Sequence, residues 1–145
     1  LRFTIPDDAP AATTWAAGLY AVTAKLERDG KQLVSPVWPF LLAPRLAGLA
    51  PNPTASSGMQ VDIAASLRPQ VRTTQRAVMR VGPIELQALP RGADTDPVVF
   101  RVDPAPALAN ALVRIEVDGV ESMPVLIDPA THDFAFDPEQ RLTVT

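Results

Sequence analysis

The chain has no cysteine and only one histidine among its 145 residues. Without thiols it can build neither a disulfide framework nor a thiolate metal site, and it tolerates a reducing cytoplasm. One imidazole leaves only carboxylates as further ligands, which suit calcium or magnesium rather than zinc. A basic excess is also missing, since 13 Lys and Arg against 16 Asp and Glu give a formal charge of −3. Neutralising a phosphate backbone requires clustered cations, so nucleic acid is not an expected ligand. No apolar run approaches the ~20 residues of a membrane-spanning helix, and the longest, around Trp38 to Ala43, is interrupted by Pro39 and Pro44. No initiator Met or charged signal-peptide region opens the chain. It starts on Leu1-Arg2-Phe3-Thr4-Ile5, a strand-like alternation, and reads as part of a longer polypeptide.

What is abundant is proline, with 16 residues spread along the chain. Proline inside a helix removes a donor and clashes with the preceding turn, so long helices are nearly excluded. With 47% hydrophobic and 20% charged residues, there is enough apolar material for a core and too little charge for disorder. Between the prolines lie short period-2 segments, the signature of half-buried strands. The clearest is Leu112 to Val117, where Val113, Ile115 and Val117 face one way and Arg114 and Glu116 the other. Asp118-Gly119 follows, a strong hairpin signal because both turn positions must accept positive φ. Val120 to Leu126 is the expected return strand.

The same construction occurs earlier. Val22, Ala24 and Leu26 alternate with Thr23, Lys25 and Glu27, Asp29-Gly30 closes the strand, and Val34 to Leu42 returns. Phe3-Thr4-Ile5 precedes the first hairpin as Phe100-Arg101-Val102 precedes the second, and Ser35 and Ser122 each follow their turn, which suggests an internal repeat. In the second copy five further strands are expected: Arg45 to Leu49, Gln60 to Ala65, Arg76 to Val81, Ile84 to Leu86 and Val98 to Val102. Seven short strands in ~100 residues fit an immunoglobulin-like antiparallel β-sandwich. Residues 44–145 are therefore read as one complete sandwich, with a core of Val61, Ile63, Met79, Val81, Phe100, Val102, Val113, Ile115 and Val117. Residues 1–43 are read as the last strands of a second, incomplete one.

No catalytic constellation emerges. His132 beside Asp133 lacks a nucleophile on a structured elbow, and Gly-x-Ser-x-Gly does not occur, so it reads as a solvated loop histidine. Asp94 and Asp96 have the spacing to face one hard cation but lack the further acids of a calcium loop, so an Asx-type turn is the favoured reading. Asp7-Asp8 reads as a solvated turn. No metal, cofactor or catalytic residue is assigned, and the protein is not expected to be an enzyme. Arg68, Arg72, Arg76 and Arg80 recur at every fourth position and would suit a patch for an acidic protein partner, the plainer reading being a solvated strand face. Tyr20 and Phe100 fall on expected inner faces and Trp38 in an apolar strand, which leaves Trp15 as the one expected exposed aromatic anchor.

Three segments carry a family resemblance: Leu42-Ala43-Pro44-Arg45-Leu46, Val117-Asp118-Gly119-Val120-Glu121-Ser122, and Phe136-Asp137-Pro138-Glu139-Gln140-Arg141-Leu142-Thr143-Val144-Thr145. Together they resemble the C-terminal immunoglobulin-like region of the cap, or tail-terminator, proteins of bacterial contractile injection systems, the phage-tail-like particles. The resemblance implies a structural protein that forms a ring with copies of itself and meets tube and sheath components through an N-terminal domain absent from this sequence. It implies assembly in the bacterial cytoplasm or release within the particle, and it carries over no site residues. The alternative is an extracellular adhesin-like or carbohydrate- or ligand-binding module of the same fold.

Overall fold

The computed structural model describes residues 14–51, 57–94, 97–128 and 130–145. All its regular elements are strands: β1 Gly18–Val22, β2 Lys25–Arg28, β3 Lys31–Val34, β4 Trp38–Leu42, β5 Arg45–Pro51, β6 Val61–Arg68, β7 Ala77–Val81, β8 Ile84–Gln87, β9 Val98–Val102, β10 Leu108–Val117, β11 Val120–Glu121, β12 Val125–Ile127, β13 Phe134–Phe136 and β14 Arg141–Val144. The period-2 segments are the reason. In β6 the apolar Val61, Ile63, Ala65 and Leu67 are buried while the residues between them are not, as successive side chains of a strand point to opposite faces.

Two antiparallel sheets enclose one core. The first has the order β5-β6-β9, and the second runs β8-β7-β10. β11 and β14 share the remaining edge of β10, for Val113 N–H donates to Gln140 and the Ser122 N–H donates to Ile115. A bridge between Ala88 and Phe100 joins the sheets where β8 ends. The nine expected core residues are all buried, none above 7% exposed, together with Leu46, Leu67, Val98, Leu142 and Val144. Removing this apolar area from water, at ~25 cal/mol per Å², is the main force holding the layers together.

Both Asp-Gly turns adopt the expected conformation, with φ of 51° and 72° at Asp29 and Gly30 and 48° and 84° at Asp118 and Gly119. Beyond the turns the two return strands differ from expectation. Val34 to Leu42 is not one strand but β3 and β4, which pair with β2 and β1 around a break at Ser35 to Val37. Val120 to Leu126 likewise stops at Glu121, and the chain leaves the sheet to form a separate β12-β13 hairpin before β14 returns to β10. Among the described residues from 44 on there are thus ten strands, β5 to β14, rather than seven.

The breaks have one cause in both copies. Ser35 Oγ accepts the Ala24 N–H at 2.9 Å while the Ser35 N–H donates to the Ala24 carbonyl at 2.9 Å. Ser122 repeats the arrangement on Ile115, at 2.9 Å and 2.6 Å. A side-chain acceptor in place of a backbone carbonyl ends the regular ladder and lets the chain turn away. The same serine bond pair thus follows both Asp-Gly turns, and β12-β13 comes after the second.

One expected inner face is corrected. Val22 is half-buried and Ala24 and Leu26 are exposed, because among the described residues no second sheet lies over the β1-β4 hairpin. The strand expected at Phe3 to Ile5 lies outside the described residues.

Candidate functional site

The four arginines do not converge. Arg68 ends β6 in the first sheet, Arg72 lies in the corner that crosses between sheets, Arg76 immediately precedes β7, and Arg80 lies within β7 in the second sheet. Three of them serve the fold. Arg72 Nη2 donates to the Thr14 carbonyl at 3.0 Å, and its guanidinium faces Asp94 at 3.7 Å. Arg76 Nε donates to Gln87 Oε1 at 3.2 Å, and its backbone N–H donates to Asp118 Oδ1 at 2.9 Å. Arg80 is the hub of a carboxylate cluster, reaching Glu116 at 2.7 Å, Glu85 at 3.3 Å and Glu121 at 3.4 Å. The bond to Glu116 holds the Arg80 guanidinium charged beyond its ordinary range. Arg80 and Arg72 thus face carboxylates of the same molecule, whereas the Arg76 side chain bonds a neutral amide.

Asp94 acts as a turn residue. Its Oδ1 accepts the Thr73 N–H at 2.5 Å, and that bond, more than the nearby Arg72 and Arg91, holds the carboxyl below its ordinary range. Asp96, Asp7 and Asp8 lie outside the described residues. Among the described residues no group of three or more His, Asp or Glu is arranged to hold a metal ion.

Trp15 is not a free anchor. It is half-buried with its ring centroid 5.2 Å from that of Tyr20, which stacks on Phe40 at 5.3 Å. A pocket of about 380 Å³ lies beside these rings, lined also by Val22 and Thr23. Trp38, read as part of an apolar strand, is instead 66% exposed.

The most distinctive surface is one the alternation did not single out, the inserted hairpin β12-β13. Val125 pairs with Phe136 and Ile127 with Phe134. Phe134 is 78% exposed, and Met123, Leu126, Ile127 and Phe136 are also exposed. Phe134 and Phe136 do alternate in sequence, but alternation predicts a strand without saying which layer, if any, covers it.

This hairpin is held at both ends. At its tip Asp128 Oδ1 accepts the Ala130 and Thr131 N–H groups at 2.7 and 3.2 Å, which keep its carboxyl below the ordinary range. His132, exposed at φ 62°, completes the turn by donating its N–H to the Asp128 carbonyl. At its root the buried Gln140 donates to the Met123 carbonyl at 3.3 Å and to Asp137 Oδ2 at 3.1 Å, while the Asp137 N–H donates to Pro124. Beside that root lies a recess of about 370 Å³ lined by Gly82, Leu112, Arg114, Glu121, Pro124 and Phe136. A stiff ribbon with exposed apolar residues above a recess rimmed by charge has the anatomy of a protein contact, with little ordering entropy left to lose on binding.

Residues 44–145 match the family described as Domain of unknown function (DUF8756). No curated protein and no solved structure matches the chain.

Proposed function

The chain belongs to this family of unknown function (DUF8756), and we propose that it is a non-catalytic structural module that docks on protein partners through the β12-β13 hairpin. The observation that carries the reading is the exposure of Phe134 and Ile127 on a ribbon pinned by Asp128 and Gln140. A two-stranded hairpin is marginal alone in water, and its unpaired edges and apolar side chains are satisfied best by a neighbouring protein.

The strand arrangement supports an immunoglobulin-like sandwich in which the fourth strand, β8, sits beside β7 instead of β9. The resemblance of three segments to cap proteins supports reading the module as an appendage on the cap of a contractile injection system, in a ring of identical subunits. Gradient sedimentation of lysate from the native bacterium tests this: the protein is expected in the fractions that hold sheath and tube. Recovery only at the top of the gradient, with particles present below, would refute it.

A second reading is favoured by the pocket beside Trp15, Tyr20 and Phe40, since aromatic rings stack on sugar faces. On that reading the chain is an extracellular adhesin-like or carbohydrate-binding module. A glycan array separates the two, with selective binding lost in Tyr20→Ala expected only for the second.

A further inference from the structure

A pocket of about 150 Å³ lies where β7 begins and β8 ends, with Thr73, Gln75, Arg76, Gln87, Pro90 and Arg91 in its wall. It shares no residue with the recess beside the β12-β13 hairpin. Its two cations are held in different ways. The half-buried Arg91 is gripped by backbone carbonyls, Nη2 donating to Arg72 at 2.8 Å and to Gln75 at 3.4 Å, and Nη1 to Val71 at 3.4 Å. The exposed Arg76 side chain is fixed at one point, the bond from its Nε to Gln87 Oε1 at 3.2 Å.

Neither guanidinium has a carboxylate partner among the described residues, and no Asp or Glu lines the pocket. The acids nearby are already engaged. Asp94 accepts the Thr73 N–H and faces Arg72, and Asp118 accepts from the Arg76 N–H and from Gln75 Nε2. Arg80, on the same strand edge of the sheet, meets three carboxylates by contrast. Donors are left over: Arg76 Nη1 and Nη2, Arg91 Nε and Gln87 Nε2 make no hydrogen bond to the described residues. A cation partly withdrawn from water is costly without a counter-charge, and carbonyl dipoles supply only part of one.

We infer that this pocket binds a single carboxylate, the side chain of a Glu or Asp on an acidic peptide segment, between Arg76 and Arg91. Planar guanidinium groups match the two oxygens of a carboxylate, and the Gln87 amide adds a neutral donor. At ~30 Å³ per water the pocket has the room of about five waters, enough for a carboxylate and the methylene behind it. The formal charge of −3 works against a polyanion, so one local oxyanion fits and a phosphate backbone does not. Arg91 is fixed in advance by three carbonyls, which lowers the ordering cost of binding. The four-residue arginine spacing contributes only Arg76 here, since Arg68, Arg72 and Arg80 do not line the pocket and Arg91 lies outside that spacing. The inference stands on this pocket and not on the role of the β12-β13 hairpin.

Titration of the isotope-labelled full chain with N-acetyl-glutamate, followed by NMR, tests this. The Nε–H signals of Arg76 and Arg91 and the side-chain amide of Gln87 should shift saturably, while N-acetyl-glutamine, the same shape without the charge, shifts none of them. Arg76→Gln should weaken binding at least about fivefold by removing one charge-assisted pair. Arg28→Gln, on the exposed strand β2, should leave it unchanged. No saturable shift, equal shifts with N-acetyl-glutamine, or an equal loss in Arg28→Gln would overturn the inference. Inorganic phosphate is the competing probe, and tighter binding of phosphate than of N-acetyl-glutamate would overturn the assignment to a carboxylate. The titration of the unaltered chain decides the matter even if Arg76→Gln fails to fold.

Discussion

Ser35→Ala and Ser122→Ala each remove the hydroxyl that accepts a backbone N–H, in two environments, and their costs should differ sharply. Ser122 is 3% exposed, and its Oγ accepts the N–H of Ile115, which is fully buried. Alanine there leaves a buried backbone donor without an acceptor, at about 1 to 3 kcal/mol. Ser35 makes the equivalent bond at an exposed site, where water replaces the lost oxygen and the cost stays within about 0.5 kcal/mol. Urea unfolding followed by far-UV circular dichroism is the suitable assay, because Trp15 and Trp38 both lie outside the strands of the complete sandwich. The midpoint should fall clearly for Ser122→Ala with an unchanged slope, a drop of roughly 3 °C or more in Tm for a domain of this size. A Ser35→Ala variant as destabilised as Ser122→Ala would refute the account of the shared break.

Other outcomes follow from the same structure. Ile115→Ala should cost about 2 to 4 kcal/mol, since it empties volume between two sheets at a fully buried site; calorimetry checks this. A fragment of residues 44–145 should keep a cooperative melt with a somewhat lower Tm, because it loses Ala17 and the bonds from Gln75 and Arg72 but no strand of its own sheets. Asp62, bonded bidentately to Arg101 at 2.6 and 2.7 Å, and Asp94 and Asp128 all have carboxyls held below the ordinary value of 3.8. Their folded values are depressed, so their stabilisation is complete above that value and is lost as pH falls through the lower folded values. The urea midpoint should therefore be flat between about pH 7 and 5 and decline below about pH 4, with a shallower decline in Asp62→Asn.

Much of the complete sandwich was legible from alternation. Val61, Ile63, Met79 and Val113 are buried where period 2 put them, since a strand between two layers has only one register that hides its apolar set. The turns at Asp29 and Asp118 were equally legible, because few residues tolerate two successive positive φ angles. The inserted hairpin was not. Val120 to Leu126 is apolar apart from Glu121 and Ser122 and reads as one strand, whereas the chain turns on the Ser122 hydroxyl bond and the buried Gln140, contacts that strand periodicity does not reveal. The arginine spacing misled for a related reason. A repeat of four is regular along the chain, but Pro69 to Gln75 cross between sheets and carry Arg68 and Arg80 to different layers. Exposure of Leu19 and Trp38 could not be read at all, as it depends on what covers the first hairpin and not on its own pattern.

The central claim is that the β12-β13 hairpin is a protein contact, and a single thiol tests it most directly. Phe134→Cys places the only cysteine of the chain on the exposed tip of that hairpin, where maleimide should react with the free protein at the rate of an unhindered thiol. In protein recovered within sedimented particles the rate should fall at least about tenfold, with Ser57→Cys, on a loop away from the hairpin, unchanged. Equal rates for Phe134→Cys in the free and assembled protein would contradict the claim.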